Sequence, residues 1–564
     1  MAAALCLLGH AFWQGHGLLD PAFRNPDVAG IAYNARLLAA GGLPYVQSAD
    51  IKPPGAFFLF APLLELGGMR AVWGAAVLWG AALSLATGAL AHVTWGGAAG
   101  PRAAVLHAAC AMIASDGDVN YSFWMATPFT LAAGCACAAA GASEARRMQA
   151  LWLASGALSL LAVAIKPSAW PVAGLFAALV ARELVLGRVK RAAFAVLAGL
   201  AGAALTTLLL ALPYVMQGKL GALRSGLSDV ATFGNEYVGV VTHGYGGRAR
   251  AVLAGLPCLL EQIPGPLVLA ALGASELFPR RGAPQPLAFA AWLFALAAFV
   301  GTTYTLRFFS HDNAELWPAL ALLAVRPAGL LSRGLNLVAR VPYAPLPVTA
   351  LVGLAAGWQG FQQRLNFVHF MADRDHMVGE ICRELAPRLP AGEPVLAWGW
   401  SAWSVYEHCG RRAPGRVFKV IASVTTVNTN TCNNGFGPML LRKDSGPARF
   451  LADVEAHPPS LFLWSSYFRD MGADPLDEWT AFRTFIKSRY AVVDARGPFV
   501  ALLRNDLLPP ENGVLTQWGS SPPGGDTGSG TYGSPSRAGS VWTSTSRTPE
   551  KPALIASITQ CVTR

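Results

Sequence analysis

Apolar runs long enough to cross a bilayer fill roughly the first 360 residues of this chain, and no other feature limits its fold as strongly. A span needs about 20 mostly apolar residues. Candidates lie at 69–92, 102–114 (short), 121–141, 149–166, 168–186, 192–213, 257–278, 285–304, 314–331 and 341–360. Residues 1–14, MAAALCLLGHAFWQ, read as the second half of one more transmembrane helix whose first half a mis-assigned start codon has removed. They have neither the basic n-region nor the small-residue cleavage site of a signal peptide. In lipid, backbone polar groups must be satisfied within the segment, so such runs are helices.

Composition agrees. The 564 residues are 53% hydrophobic and 13% charged, with a mean hydropathy of +0.40, whereas soluble domains carry about 25% charge. The expectation is an α-helical polytopic membrane protein of about 11 transmembrane helices. A net charge of +11 raises nucleic acid as a partner. The basic residues lie in short clusters between apolar runs, not along one stripe, so membrane topology explains them and nucleic acid is set aside.

Short cytoplasmic loops carry the excess of Lys and Arg. Arg146/Arg147, Arg188/Lys190/Arg191, Arg280/Arg281 and the segment with Arg326, Arg333 and Arg340 mark that side. The external set is then 15–68, 115–120, the Lys166–Pro167 junction, 214–256, 305–313 and everything after 361. Every unusual polar cluster falls on this face. After 361 the pattern becomes that of a soluble α/β domain, 361–514, with an amphipathic helix at 376–390 and strands at 393–400, 460–466 and 490–494. From 515 to 564 the chain is rich in Gly, Ser, Thr and Pro and reads as a disordered tail.

Within the membrane domain, 1–360, the first external loop stands out. Residues 24–58, RNPDVAGIAYNARLLAAGGLPYVQSADIKPPGAFF, set Asp27, Asp50 and Lys52 among very apolar segments. Ionisable groups at a membrane are functional candidates by default. The order Pro-Asp27, a helix with Tyr33 and Arg36, Gly42, Pro44-Tyr45, then Asp50-x-Lys52-Pro53-Pro54-Gly55 resembles the first external loop of polyprenyl-phosphate-dependent C-type glycosyltransferases. That family includes protein O-mannosyltransferases and the lipid A aminoarabinose transferase. RFFSHDNAELWPALALL (307–323) resembles its external-loop-to-helix junction, with Asp312 where tyrosine is usual, and VAIKPSAWP (163–171) resembles the lysine ending a middle helix. The resemblance spans roughly 15–510.

It implies the C-type glycosyltransferase fold in a bacterial inner membrane, with catalysis on the periplasmic side. A sugar would pass with inversion from a polyprenyl phosphate to a lipid, glycan or protein acceptor. Asp27 takes the role of general base. The leaving phosphate needs positive charge, for which Lys52 and Lys166 are candidates, with Arg307 and His311 behind them. Tyr45, Asp50, Asp116 and Asp118 complete the substrate-binding candidates. No cofactor is assigned, with a divalent metal as the alternative: the turn ASDGDVNYS reads as a cation site or as ordinary Asp-Gly turn chemistry, and the turn reading leads because two aspartates alone do not make a hard-cation cage.

Each assignment has a structural rival. Asp27 is a candidate N-cap, Asp50 and Lys52 an exposed pair of little value, Lys166 a snorkelling side chain and His311 a helix-boundary residue. The Trp398, Trp400 and Trp403 cluster is better read as packing than as a sugar platform. Cys6, Cys110, Cys135, Cys137 and Cys258 lie in apolar segments with no metal-ligand spacing, and Cys135 and Cys137, too close along one helix to bridge, read as small packing residues. Cys409 and Cys432 are the disulfide candidates in an oxidising compartment, leaving Cys382 over. The segment 214–256, with Arg248 and Arg250, is expected to be a mobile lid. The rival function is a non-catalytic transporter or lipid-carrier flippase, against which stand the one-sided polar clusters and the lack of an internal repeat. A degenerate enzyme homologue is the third reading, raised by the short N-terminus and Asp312.

Overall fold

The computed structural model describes residues 1–97, 99–114, 119–274, 287–339, 345–357, 361–427, 430–432 and 437–508. The Asp116/Asp118 turn and the tail from 515 lie outside them. The chain forms two compact units, Met1–Ala372 with Thr431–Asn433, and Asp373–Asn430 with Asn434–Arg564.

The first unit is helical. Its elements are α1 (Ala2–Leu19), α2 (Pro26–Ala39), α3 (Gly55–Trp95), α4 (Ala99–Ala114), α5 (Tyr121–Gly141), α6 (Ala145–Ile165), α7 (Val172–Val185), α8 (Val189–Met216), α9 (Leu220–Gly244), α10 (Arg248–Gln262), α11 (Pro264–Ala274), α12 (Ala288–Thr303), α13 (Leu316–Ala339) and α14 (Pro345–Gly357). Among the described residues, five helices are long and apolar enough to cross a membrane: Gly55–Trp95, Tyr121–Gly141, Ala145–Ile165, Pro167–Val185 and Val189–Met216. The chain is therefore a multi-pass membrane protein. Several of the eleven expected spans are shorter or bent in the structure: Phe289–Thr303 is short, and Arg248–Gln262 meets Gly265–Gly273 at 104°.

Small residues set the closest helix crossings. A Cβ on Gly156 would lie 2.0 Å from the Gly199 carbonyl oxygen, and one on Gly202 only 1.9 Å from that of Leu153. Backbones of α6 and α8 thus touch, as small-residue faces permit in lipid. Thr206 adds a hydroxyl bond to the Ala157 carbonyl at 3.1 Å.

Two expected loops are largely helix. The stretch 15–68 holds α2 and the first turns of α3, which breaks at Gly67 and Gly68, the latter at φ 61°. The 41 residues of α3 are therefore two helices, and the span begins near 69, as its apolar run predicts. The stretch 214–256 is largely α9 and the start of α10 rather than a loop. Leu223, Gly226, Val230 and Val241 are buried along α9, a helical spacing diluted in the sequence by glycines and polar residues.

The second unit carries a four-stranded sheet in the order β1-β2-β4-β3: β1 (Val395–Trp398), β2 (Leu461–Ser465), β3 (Tyr490–Arg496) and β4 (Phe499–Arg504). β1 and β2 are parallel, and β4 runs antiparallel to both β2 and β3. The strand at 499–504 escaped the sequence reading because only Gly497 (φ 52°) and Pro498 separate it from β3. Trp398 is buried in this core against Phe468, Trp479 and Phe482, so packing is its role. Its indole and that of Trp464 donate to the buried Asp474 carboxylate at 3.0 and 2.8 Å.

The disulfide expectation is corrected. Cys382 pairs with Cys409, and Cys432 pairs with Cys258 within the first unit. Beside the Cys382–Cys409 bridge, His408 Nε2 lies 2.9 Å from Asp375 Oδ1. Burial pulls this imidazole's pKa down, but Asp375 outweighs it and the net shift is upward. A folded-state pKa above the unfolded value stabilises fully below the unfolded value and loses that contribution as pH rises through the folded one. Tryptophan fluorescence of the purified protein should report a lower thermal midpoint for this unit at about pH 8 than at about pH 6, with the difference reduced in His408→Asn.

Candidate functional site

Asn25 opens α2 in extended conformation (φ −145°, ψ 119°), and its side-chain oxygen accepts from the Asp27 amide at 2.9 Å. Pro26 occupies the first turn, where a missing N–H costs nothing. Asn25 is thus the cap, which corrects the N-cap reading of Asp27. Asp27 sits one residue further on, near the positive end of the helix dipole, and its carboxylate meets Lys52 Nζ at 2.9 Å.

A network within the first loop presents Lys52. Asp50 Oδ1 accepts the amides of Ile51 and Lys52 at 2.7 and 3.1 Å, folding the chain into a tight turn. Asp50 Oδ2 accepts from Asn34 Nδ2 at 2.5 Å, and Asn34 in turn accepts from Ser48. The Tyr45 hydroxyl donates to the Lys52 carbonyl at 2.5 Å. Tyr45 and Asp50, substrate-binding candidates in the sequence, are both buried and shape the lysine turn. Tyr45 also holds φ at 64°, a conformation that costs a non-glycine residue about 1–3 kcal/mol. Its ring packs on Gly226 of α9, where a Cβ would stand 2.3 Å away.

The next residues bring a second lysine alongside. Pro54 caps α3, and Gly55 begins it. A Cβ on Gly55 would lie 2.6 Å from both the carbonyl carbon and the oxygen of Ala164. The bare Cα therefore lets α3 start against the last turn of α6, whose C-cap is Lys166. Both ammonium groups meet the ring of Tyr121, the first residue of α5. Lys52 Nζ is 5.3 Å and Lys166 Nζ 5.7 Å from its ring centroid, within cation–π range.

Lys166 is committed to the protein. It is buried, 2.8 Å from Asp312 and 3.9 Å from Glu315. Burial raises the Asp312 carboxyl, but Lys166 and then His311 pull it below the usual range overall. The residue that departs from the family pattern thus supplies the nearer of two carboxylates that balance a buried ammonium. His311 is less buried, stacked on Phe309 at 5.6 Å, with Nε2 3.9 Å from Asp312.

Arg307 is fully buried. Its guanidinium lies 3.7 Å from the Tyr237 ring centroid and donates to the Tyr237 carbonyl at 3.1 Å. Tyr237 is on α9, the helix that packs on Tyr45. Burial, aided by Asp312 and Asp27 against the pull of Arg307, pushes its hydroxyl up to about 12. Asp27, Lys52, Lys166, Tyr121, Asp312, Tyr237 and Arg307 are therefore one electrostatic assembly. It contains a partly exposed carboxylate beside a largely buried ammonium, backed by more deeply buried cations: the means to take a proton and to face an anion.

Sequence reasoning missed Tyr121, Glu315, Asn34 and Tyr237. Tyr121 had a usable signal, since Asn120 before an apolar run is an N-cap and places Tyr121 at the external helix end. Asn120 does accept the amides of Ser122 and Phe123.

No family model matches the chain, and no curated protein sequence does. Solved structures share its fold. ArnT from Cupriavidus metallidurans bound to undecaprenyl phosphate aligns with a TM-score of 0.58 at 14% identity, covering 90% of this chain and 98% of ArnT. Its apo state aligns at 0.53 and 14%, covering 86% and 94%. The apo oligosaccharyltransferase of Archaeoglobus fulgidus aligns at 0.53 and 12%, covering 82% of this chain and 69% of that one. These neighbours are C-type, polyprenyl-phosphate-dependent glycosyltransferases, and at such identities the likeness establishes the fold.

The meeting of α3 with α6 carries a direct expectation. Gly55→Val should lower the thermal midpoint of the solubilised protein, in keeping with an overpacking cost of about 1–3 kcal/mol, whereas Gly174→Val, where a Cβ meets nothing within 4 Å, should not.

Proposed function

We propose that this protein is a membrane glycosyltransferase that moves a sugar from a polyprenyl-phosphate donor to a periplasmic lipid, glycan or protein acceptor with inversion. The observation that carries the reading is the Asp27–Lys52 pair, displayed by a built loop in a fold shared with glycosyltransferases, one solved with undecaprenyl phosphate. The site and the second unit then face the periplasm of a bacterial inner membrane, with eleven spans as the full count.

The chemistry follows from the residues. The acceptor hydroxyl attacks the anomeric carbon, forming the new C–O bond as the bond to the lipid phosphate breaks on the opposite face. Asp27 takes the hydroxyl proton. Lys52 turns from Asp27 to the departing phosphate, and Arg307 offers a guanidinium held ready by Tyr237. Lys166 acts behind them, keeping Asp312 and the Tyr121 ring in place. This reading assigns charge neutralisation to side chains and uses no metal ion.

Two measurements test it. Membranes incubated with radiolabelled polyprenyl-phosphate sugars should show transfer by the parent and a loss of about 10²–10⁴-fold in Asp27→Asn, the usual worth of a general base. A mutant as active as the parent would remove Asp27 from the mechanism, and transport without transfer by the parent would favour the flippase. Transfer should also persist in EDTA, and a collapse restored by added divalent cation would show that a metal carries the phosphate.

A further inference from the structure

Arg307 stands between two non-glycine residues in left-handed conformation, Leu306 at φ 61° and Phe308 at φ 57°. L-residues adopt this region at a cost, and such a pair persists only where its surroundings over-determine it. One face of α10 does so here. A Cβ on Gly255 would lie 2.1 Å from the Phe308 ring, so the bare glycine seats that ring. Gln262 Nε2 donates to the Phe308 carbonyl at 2.8 Å, while its Oε1 accepts from Asn313 Nδ2 at 2.6 Å. Between them, Cys258 is cross-linked to Cys432, and the Cys432 amide donates to the Arg307 carbonyl at 2.9 Å.

That amide bond and the cross-link together reach the backbone of Arg307 from the segment Thr431–Asn433. Thr431 is itself held, its hydroxyl 3.2 Å from that of Tyr245. Residues 255, 258 and 262 are spaced by three and four, which puts all three clamps on one side of a helix.

We propose that this face of α10, with the Cys258–Cys432 cross-link, is a positioning device for Arg307 that sets how tightly the protein holds a lipid-linked phosphate. The inference rests on the reading of Arg307 as a phosphate contact. Cys258, Gln262 and Cys432 touch no substrate; they act through the backbone on either side of the arginine. Opening the bridge with dithiothreitol yields two protein thiols and the cyclic disulfide of the reagent, so in a Cys382→Ser/Cys409→Ser background, which lacks the second disulfide, this cross-link alone can be removed from protein already folded.

The test is a thermodynamic cycle on the purified full-length protein, with undecaprenyl phosphate in detergent as the probe. Arg307→Ala, Cys432→Ser and the double variant are titrated beside the parent, and the donor KM and kcat are measured on the same samples. Cys432→Ser is expected to weaken binding and raise the donor KM by roughly ten- to a hundredfold, the scale on which small misplacements act. In the Arg307→Ala background it should add nothing further. Equal losses in both backgrounds, or no loss in the parent background, overturn the positioning role. Should Arg307→Ala bind the probe as the parent does, the reading of Arg307 as a phosphate contact falls, and this proposal with it. If Cys432→Ser does not fold, folded parent and folded Arg307→Ala, both in the Cys382→Ser/Cys409→Ser background, are compared before and after reduction, with the opened bridge verified by mass spectrometry, and the same outcomes decide.

Discussion

The site depends on one bare Cα. Gly55 has no side chain, so the start of α3 rests against the backbone of Ala164 and Ile165, and the residues just before and just after that contact are the lysines Lys52 and Lys166. Everything else in the assembly is arranged around two ammonium groups that share one aromatic ring, and such charges repel unless their surroundings are negative or polarisable. Tyr121 offers both of them the face of one ring, and Asp27 and Asp312 each take one in an ion pair. The glycine ending the Lys-Pro-Pro-Gly run is thus a geometric requirement of the charges.

The two pairs are not equivalent, and burial separates them. Side chains of the Lys166–Asp312 pair are 3% and 5% exposed, against 11% and 23% for Lys52 and Asp27. Breaking a buried pair strands an uncompensated charge at a cost of about 3–5 kcal/mol, so the inner pair is permanent framework. The outer pair reaches solvent and can exchange partners. Of the two lysines, Lys52 is the one with freedom to meet an incoming anion.

The apolar runs and the spacing of the first loop were legible in the sequence because each depends on local composition. The membrane helices and three strands of the small sheet follow from patterns confined to short windows, and so does the choice of Asp27 and Lys52 as candidates. What escaped depends on pairing across the chain. The contact of Lys166 with Asp312 joins residues 146 positions apart, and nothing near Lys166 announces a carboxylate. Cys258 lies in an apolar run, and only the fold brings it to Cys432, 174 positions away. Tyr45 and Asp50 carry residue types that bind substrates, yet their hydrogen bonds turn inward to Lys52. The α9 helix was read as a loop because glycines and polar residues dilute its buried face.

The ion pair of Asp27 with Lys52 has a consequence for the order of events under the proposed reading. An ammonium seated on a carboxylate oxygen favours the charged form and so weakens the carboxylate as a base. Lys52 cannot serve Asp27 and a phosphate equally, so arrival of the lipid-linked donor releases the carboxylate at the moment a sugar is present to be transferred. Acceptor that reaches an empty site meets a base still paired with its ammonium. The resting protein would then be latched by its own salt bridge, and the donor would be the key.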